Sequence, residues 1–215
     1  NKVSNYFYRN MITDEDLNKA KEYKNQAKRS HGKSQFSNID DYIKSLEIKV
    51  KIYKNDLSHL IRMEQMAQKT NQFNFTTIRH SASEIQDFIQ SQSHHVYCIN
   101  ISDKFGDSGV TGLIITEDAK DKSLCTIITF LMSCRVIGRN VEYAFLNEVF
   151  NDCKDRNINK VIAHYTESKK NAQVKSFYED INFKVVESSD KKITFESEIN
   201  NIKLKNTQYI EVNND

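Results

Sequence analysis

The feature that most limits what this chain can become is the apolar run from Leu124 to Ile137, which passes through Gly138 straight into a stretch of helical spacing. Thr126, Thr129, Ser133 and Arg135 interrupt the run, and it is shorter than the roughly 20 residues a membrane helix needs. A run of this kind is a buried central strand. After Gly138, Val141, Ala144, Phe145 and Val149 recur at helical spacing to about Arg156. A central strand that turns directly into a helix commits the chain to layers, with helices packed on the faces of a sheet.

The flanking patterns extend this frame. Ile48, Val50 and Ile52 alternate with lysines as a half-buried strand, and helices are expected over about 57–70 behind Asp56 and about 84–91 behind Ser83. Three strands follow, His95–Ser102, Val110–Thr116 and Ser123–Cys134, and beyond the central helix comes a buried strand, Val161–Tyr165. A helix at Ala172–Asp180 and strands at Phe183–Glu187 and Lys191–Glu198 complete the domain. The order β-αα-βββ-α-β-α-ββ predicts an α/β (α+β) fold with one mixed, mostly antiparallel sheet and helices on both faces. Its parallel contact is expected between Leu124–Ser133 and Val161–Tyr165, because the intervening helix is long enough for the crossover. Residues 1–45, charge-rich with helical patterns over about 14–34 and 38–46, read as an arm. Residues 46–199 form the domain, and 200–215 an Asn-rich tail with one weak strand at Tyr209–Val212.

Composition narrows the function classes. Proline is absent among 215 residues, which excludes proline-rich linkers. Lys+Arg 31 against Asp+Glu 29 leaves +2, so no nucleic-acid partner is expected. The four cysteines form no C-x-x-C pair and three lie in apolar stretches, which suits a reducing, cytoplasmic setting. No membrane segment is expected. His94 and His95 are adjacent in a strand and point to opposite faces, so no metal site is expected either.

Chemistry concentrates at Ser133-Cys134-Arg135-Val136-Ile137-Gly138-Arg139-Asn140. The start of a helix offers free backbone N–H groups and partial positive charge, and Gly138 lets a phosphate approach while Arg135 and Arg139 add cations. The alternative is a capped helix with two solvated arginines.

The R-x-x-G spacing between the fourth strand and the next helix resembles the acyl-CoA loop of the GCN5-related N-acetyltransferase (GNAT) superfamily, over about residues 46–198. Asn171-Ala172 with Phe177-Tyr178-Glu179-Asp180-Ile181-Asn182-Phe183 resembles that superfamily's N-A-x-x-x-F-Y-x-x-x-G-F segment. Asn140 and Asn182 stand where glycine is usual, and Asn is the other residue that tolerates positive φ.

A narrower resemblance covers most of the chain. Gln68-Lys69-Thr70-Asn71-Gln72-Phe73-Asn74, Asp103-Lys104-Phe105-Gly106-Asp107, Phe130 to Arg139 and Lys170-Asn171-Ala172 look like the C-terminal half of FkbH-like proteins. These join a haloacid dehalogenase (HAD)-like phosphatase domain to a GNAT-like domain. The resemblance implies transfer of a three-carbon glyceryl unit to an acyl carrier protein in methoxymalonyl biosynthesis. The phosphatase half has no counterpart here, and a chain opening on Asn1 reads as a piece of something longer.

The resemblance further implies that Met132, Arg135, Gly138, Arg139, Asn140, Val141 and Asn171 hold coenzyme A or a carrier's phosphopantetheine, its arm entering between the two splayed parallel strands. It places Tyr178 beside the thioester sulfur as a general acid, against the alternative of an aromatic packed with Phe177 and Phe183. Cys134 is either an acyl-accepting thiolate or a buried structural thiol, and His164 either a base or a satisfied histidine. Asn71, Gln72 and Asn74 either line an acceptor pocket or cap a loop. Lys169, Lys170 and Lys175 are candidates for a basic docking face for an acidic carrier.

Overall fold

The computed structural model describes residues 14–214, and the start at Asn1 lies outside them. The chain divides into two compact units between Tyr42 and Ile43. The first holds α1 (Asp14–Lys33) and the start of α2 (Ile39–Ser45). Within it the Tyr42 hydroxyl donates to the Arg29 carbonyl at 2.9 Å, and the Phe36 ring tilts against Tyr42 at 5.8 Å.

The second unit opens with β1 (Lys49–Lys54), followed by α3 (Leu60–Lys69), β2 (Phe73–Asn74) and α4 (Ala82–Gln90). Then come β3 (His94–Asp103), β4 (Gly106–Asp118), β5 (Leu124–Met132) and α5 (Val141–Asp155). The unit closes with β6 (Lys160–Thr166), α6 (Phe177–Asp180), β7 (Lys184–Ser188), β8 (Lys192–Glu198) and β9 (Glu211–Asn214). The strands form one sheet in the order β7-β8-β6-β5-β4-β3-β1-β9, with β2 added on β5.

The expected parallel contact is present: β5 pairs with β6 from Leu124 opposite Lys160 to Ile127 opposite Ala163. The tail supplies a second one, β9 lying parallel to β1, so the weak strand of the sequence becomes an edge. Three local differences from the sequence expectation bear on the site. Ser81, not Ser83, caps α4, since its side chain and that of Glu84 complete a reciprocal capping box. The helix expected at Ala172–Asp180 is a 3₁₀ turn, Ala172–Val174, and then the single turn α6. Val174 and Phe177, three apart, are both buried, which suits the three-residue period of the tighter turn. The third is β2, which shows no alternation in sequence.

The sheet buries both faces. Leu113, Ile115 and Leu131 pack with Met63, Met66 and Ala67 of α3 and Ile85 of α4. Phe130, one residue before Leu131, points the other way and meets Phe145 of α5 at 6.4 Å. Gly112 permits this layer: a Cβ there would lie 2.5 Å from Ile99 Cγ2 and 3.2 Å from the Phe145 ring. An aromatic group fills the region toward β6, with Phe75 stacked on Phe130 at 4.9 Å and Phe177 and Tyr178 against Phe75.

Candidate functional site

The run of β5 ends at Ser133, which caps a 3₁₀ turn, Cys134–Val136, and whose hydroxyl accepts from Arg135 Nε at 3.2 Å. Gly138 then takes φ +79 with open space around it, and Asn140 takes φ +61 immediately before α5. Asn182 is likewise left-handed at φ +74. Asparagine thus carries both conformations that glycine usually supplies, as its tolerance of positive φ predicts.

The cations of this loop are disposed differently from the sequence expectation. Arg139 is buried: Nη1 pairs with Asp103 Oδ2 at 3.1 Å, both side chains being under a tenth exposed, and Nη2 donates to the Arg135 carbonyl. A buried carboxylate requires a countercharge, and Arg139 supplies it, so its guanidinium is not turned to a phosphate. Asn140 donates to the Tyr209 hydroxyl of the tail at 2.8 Å, and Val141 is fully buried. Glu142, in the first turn of α5, is also buried, and burial pushes its carboxyl above the ordinary carboxylate range.

The gap between β5 and β6, where a pantetheine arm was expected, holds the chain's own backbone. Beyond Ile127 and Ala163 the two strands part, and β2 pairs antiparallel with the far half of β5, Phe73 opposite Met132 and Asn74 opposite Leu131. The Phe75 N–H donates to the Phe130 carbonyl at 3.1 Å, and the Thr166 N–H donates to the Phe75 carbonyl at 2.7 Å. Asn171 and Asn74 are both fully buried and serve this insertion. Asn171 Nδ2 donates to the carbonyls of Asn74 and Thr166, each at 2.9 Å, while its Oδ1 accepts from the Ser168 N–H. Asn74 Oδ1 accepts from the Thr77 N–H and its Nδ2 donates to the Thr70 carbonyl. Met132 is buried in the same pairing. The residues present therefore do not fit a pantetheine arm in the gap.

Tyr178 is wholly enclosed, with the rings of Phe75, Phe183 and Phe195 at 4.7, 5.3 and 5.4 Å. Burial drives its pKa up, and its hydroxyl has no hydrogen-bond partner among the described residues. The structure gives it the packing role and not that of an accessible acid. His164 lies on the half-buried face of β6 beside Thr194 Oγ1 at 3.3 Å, with its pKa lowered by burial and then by Lys192.

What the fold does bring together is a pocket of about 560 Å³ at the outer end of β5, lined by Arg62, Gln65, Met66, Lys69 to Phe73, Ser133, Cys134 and Lys170. Asn71 and Gln72 meet Cys134 there, and Asn74, Tyr178 and His164 do not. Cys134 is exposed, whereas the other three cysteines are buried, so the reading of Cys134 as a buried structural thiol is overturned. The pocket wall is held by Arg79, whose Nη1 bonds the carbonyls of Ala67, Gln68 and Thr70 while Nη2 donates to Asn71 Oδ1 at 2.6 Å. No local pattern announces this role, since Arg79 stands ten residues beyond the end of α3 at Lys69. Of the lysines expected at the mouth, Lys170 lines the pocket and Lys175 lies 4.0 Å from Glu167. Among the described residues no group of three or more His, Cys, Asp or Glu is placed to hold a metal ion, and no helix is long and apolar enough to cross a membrane.

No family model matches the chain. No curated protein matches it either. Solved structures do. Ard1 from Thermoplasma volcanium is 18% identical, with 73% of this chain and 99% of that one covered at a TM-score of 0.54. The PaiA N-acetyltransferase from Thermoplasma acidophilum, in complex with coenzyme A, is 14% identical over 69% and 98% at 0.51. The GNAT domain of PAT from S. lividans is 13% identical over 68% and 89% at 0.54. At these identities the likeness is one of fold, and the fold of this chain is the GNAT acetyltransferase fold.

Proposed function

We propose that this chain is the GNAT-like acyltransferase domain of an FkbH-like protein, and that it passes an acyl group, in that setting a glyceryl unit, to the phosphopantetheine thiol of an acyl carrier protein. The observation that carries the reading is the pocket at the end of β5, which sets the exposed Cys134 thiol among the amides of Asn71 and Gln72 with Lys69 and Lys170 at its walls. The fold supports acyl transfer in general, since one of its relatives is a coenzyme A complex.

A carrier fits better than free coenzyme A for an electrostatic reason. Free coenzyme A depends on a firm hold of its pyrophosphate, and here Arg139 is neutralised by Asp103. A carrier brings one phosphate and draws affinity from its own acidic surface, for which the lysines are complementary. In the transfer, the pantetheine thiolate attacks the carbonyl carbon of an acyl group held on Cys134 Sγ. The new C–S bond forms as the bond to Cys134 breaks, and Cys134 leaves as a thiolate that takes up the proton lost by pantetheine. Free thiols in such a cycle suit a reducing, cytoplasmic compartment.

A second reading, a docking module without chemistry of its own, is favoured by the enclosure of Tyr178. Intact-mass analysis of the chain mixed with an acylated carrier separates the two. An acyl adduct on Cys134, absent from Cys134→Ser, supports transfer. Carrier binding that weakens with salt but leaves no adduct supports docking. Rapid consumption of acetyl-CoA with an amine acceptor, without carrier binding, would overturn both in favour of a small-molecule N-acetyltransferase.

A further inference from the structure

At the gap between β5 and β6 two parallel neighbours separate and a third segment of the same chain lies between them. An extended arm carrying amides binds such a place as an added strand does, by bonding to the backbone groups left open on either side. A pantetheine arm has two amides and is a chain of that kind. Here residues 73–75 already make those bonds, on β5 through Leu131, Met132 and the Phe130 carbonyl, and on β6 through the Thr166 N–H.

We infer that the inserted strand at residues 73–75 is a permanent member of the sheet, which closes the gap to a pantetheine arm, that of free coenzyme A included, and leaves thioesters only the outer pocket. Three observations make it permanent. Phe75 is fully buried, its ring parallel to Phe130 within 3° and at 5.3 Å from Phe177, so withdrawal would expose a large apolar side chain and open the cluster around it. Asn171, also fully buried, spends both protons of its amide on the Asn74 and Thr166 carbonyls, which ties the insert to the end of β6. Thr77, where the insert leaves the sheet, holds φ +58, and its N–H is bonded by Asn74 Oδ1. A β-branched residue stays in that region only where its surroundings over-determine it, which a segment free to swing out would not provide.

The inference concerns the gap and not the pocket, so it stands or falls apart from the carrier reading. The test is amide hydrogen exchange of the whole chain, read by NMR at Phe75 and Thr166 with and without saturating acetyl-CoA, alongside calorimetric titration of the same ligand. We expect both amides among the slowly exchanging set, unchanged by acetyl-CoA, whether or not calorimetry detects binding, since a ligand held outside the gap leaves them bonded. Exchange of the two amides as fast as exposed loop amides, or loss of their protection on adding acetyl-CoA, would overturn it. Carrier binding and acyl transfer do not enter this readout.

Discussion

The gap between β5 and β6 and the pocket at the end of β5 are built from the same two segments, residues 70–75 and 131–134, yet they end in opposite states. At Met132 and Phe73 the segments pair, and the backbone and amide groups there are answered by the chain itself: Asn171 by Asn74, Thr166 by Phe75. One residue further, at Ser133 and Cys134, β5 has left the sheet, β2 has no partner to continue with, and the thiol faces outward. The difference teaches that residue type alone does not decide what is available for chemistry. A side chain becomes available where pairing stops.

That contrast can be broken by mutation. The largest effect is expected from Phe75→Ala, which should cost about 3–5 kcal/mol in urea unfolding because it opens a cavity in the aromatic cluster. Cys134→Ala at the exposed pocket should change stability by no more than about 0.5 kcal/mol. Similar losses for the two would erase the distinction between gap and pocket.

Arg139→Ala should come next, at about 3 kcal/mol, since it removes the buried countercharge of the Asp103 carboxylate. Its neighbour Arg135 is half-buried and should cost less than about 1 kcal/mol when replaced by alanine. A stable Arg139→Ala protein with weakened phosphate binding would return Arg139 to the role of anion ligand.

Glu142→Gln probes the same loop through pH. Burial raises the Glu142 pKa in the folded state above the ordinary 4.5 of a glutamate, so the folded protein holds this proton longer than the unfolded chain. Stability from this group therefore falls as pH rises from 4.5 through the folded pKa. Glu142→Gln should be more stable than the parent near neutrality and should lose that advantage below pH 4.5. Thermal melts across that range check the sign, and a variant that is less stable at neutral pH would show that the charged form is the favoured one.

A small effect, of opposite sign, is expected from Tyr178→Phe. Its hydroxyl is buried without a partner, so removal should leave stability unchanged or raise it by up to about 1 kcal/mol, with no loss of acyl exchange. A hundredfold fall in turnover would restore Tyr178 as an acid.

Much of this architecture was legible along the chain because it rests on local periodicity. The run Leu124–Ile137, the helix after Asn140 and the strand around Ala163 each carry a pattern that burial imposes on neighbouring residues, and the crossover between parallel strands followed from the length of the helix between them. The tolerance of asparagine for positive φ was also readable, since φ is a property of one residue. The candidate site was legible only in outline: Asn71, Gln72 and Cys134 do meet at one pocket, while Tyr178, Asn171 and Arg139 are consumed by the fold.

By itself, then, the sequence determined the order of elements, the mixed sheet and the place where a strand becomes a helix, because each depends on residues a few positions apart. Only the tertiary structure decided that Arg139 answers Asp103, 36 residues away, that Asn140 is bonded by Tyr209, 69 away, and that Asn171 holds Asn74, 97 away. Nothing in a two-residue strand such as Phe73–Asn74 announces its pairing, since two positions cannot display alternation. Its place was settled by the unbonded edges that β5 and β6 leave where they part, which buried backbone groups cannot leave unmet.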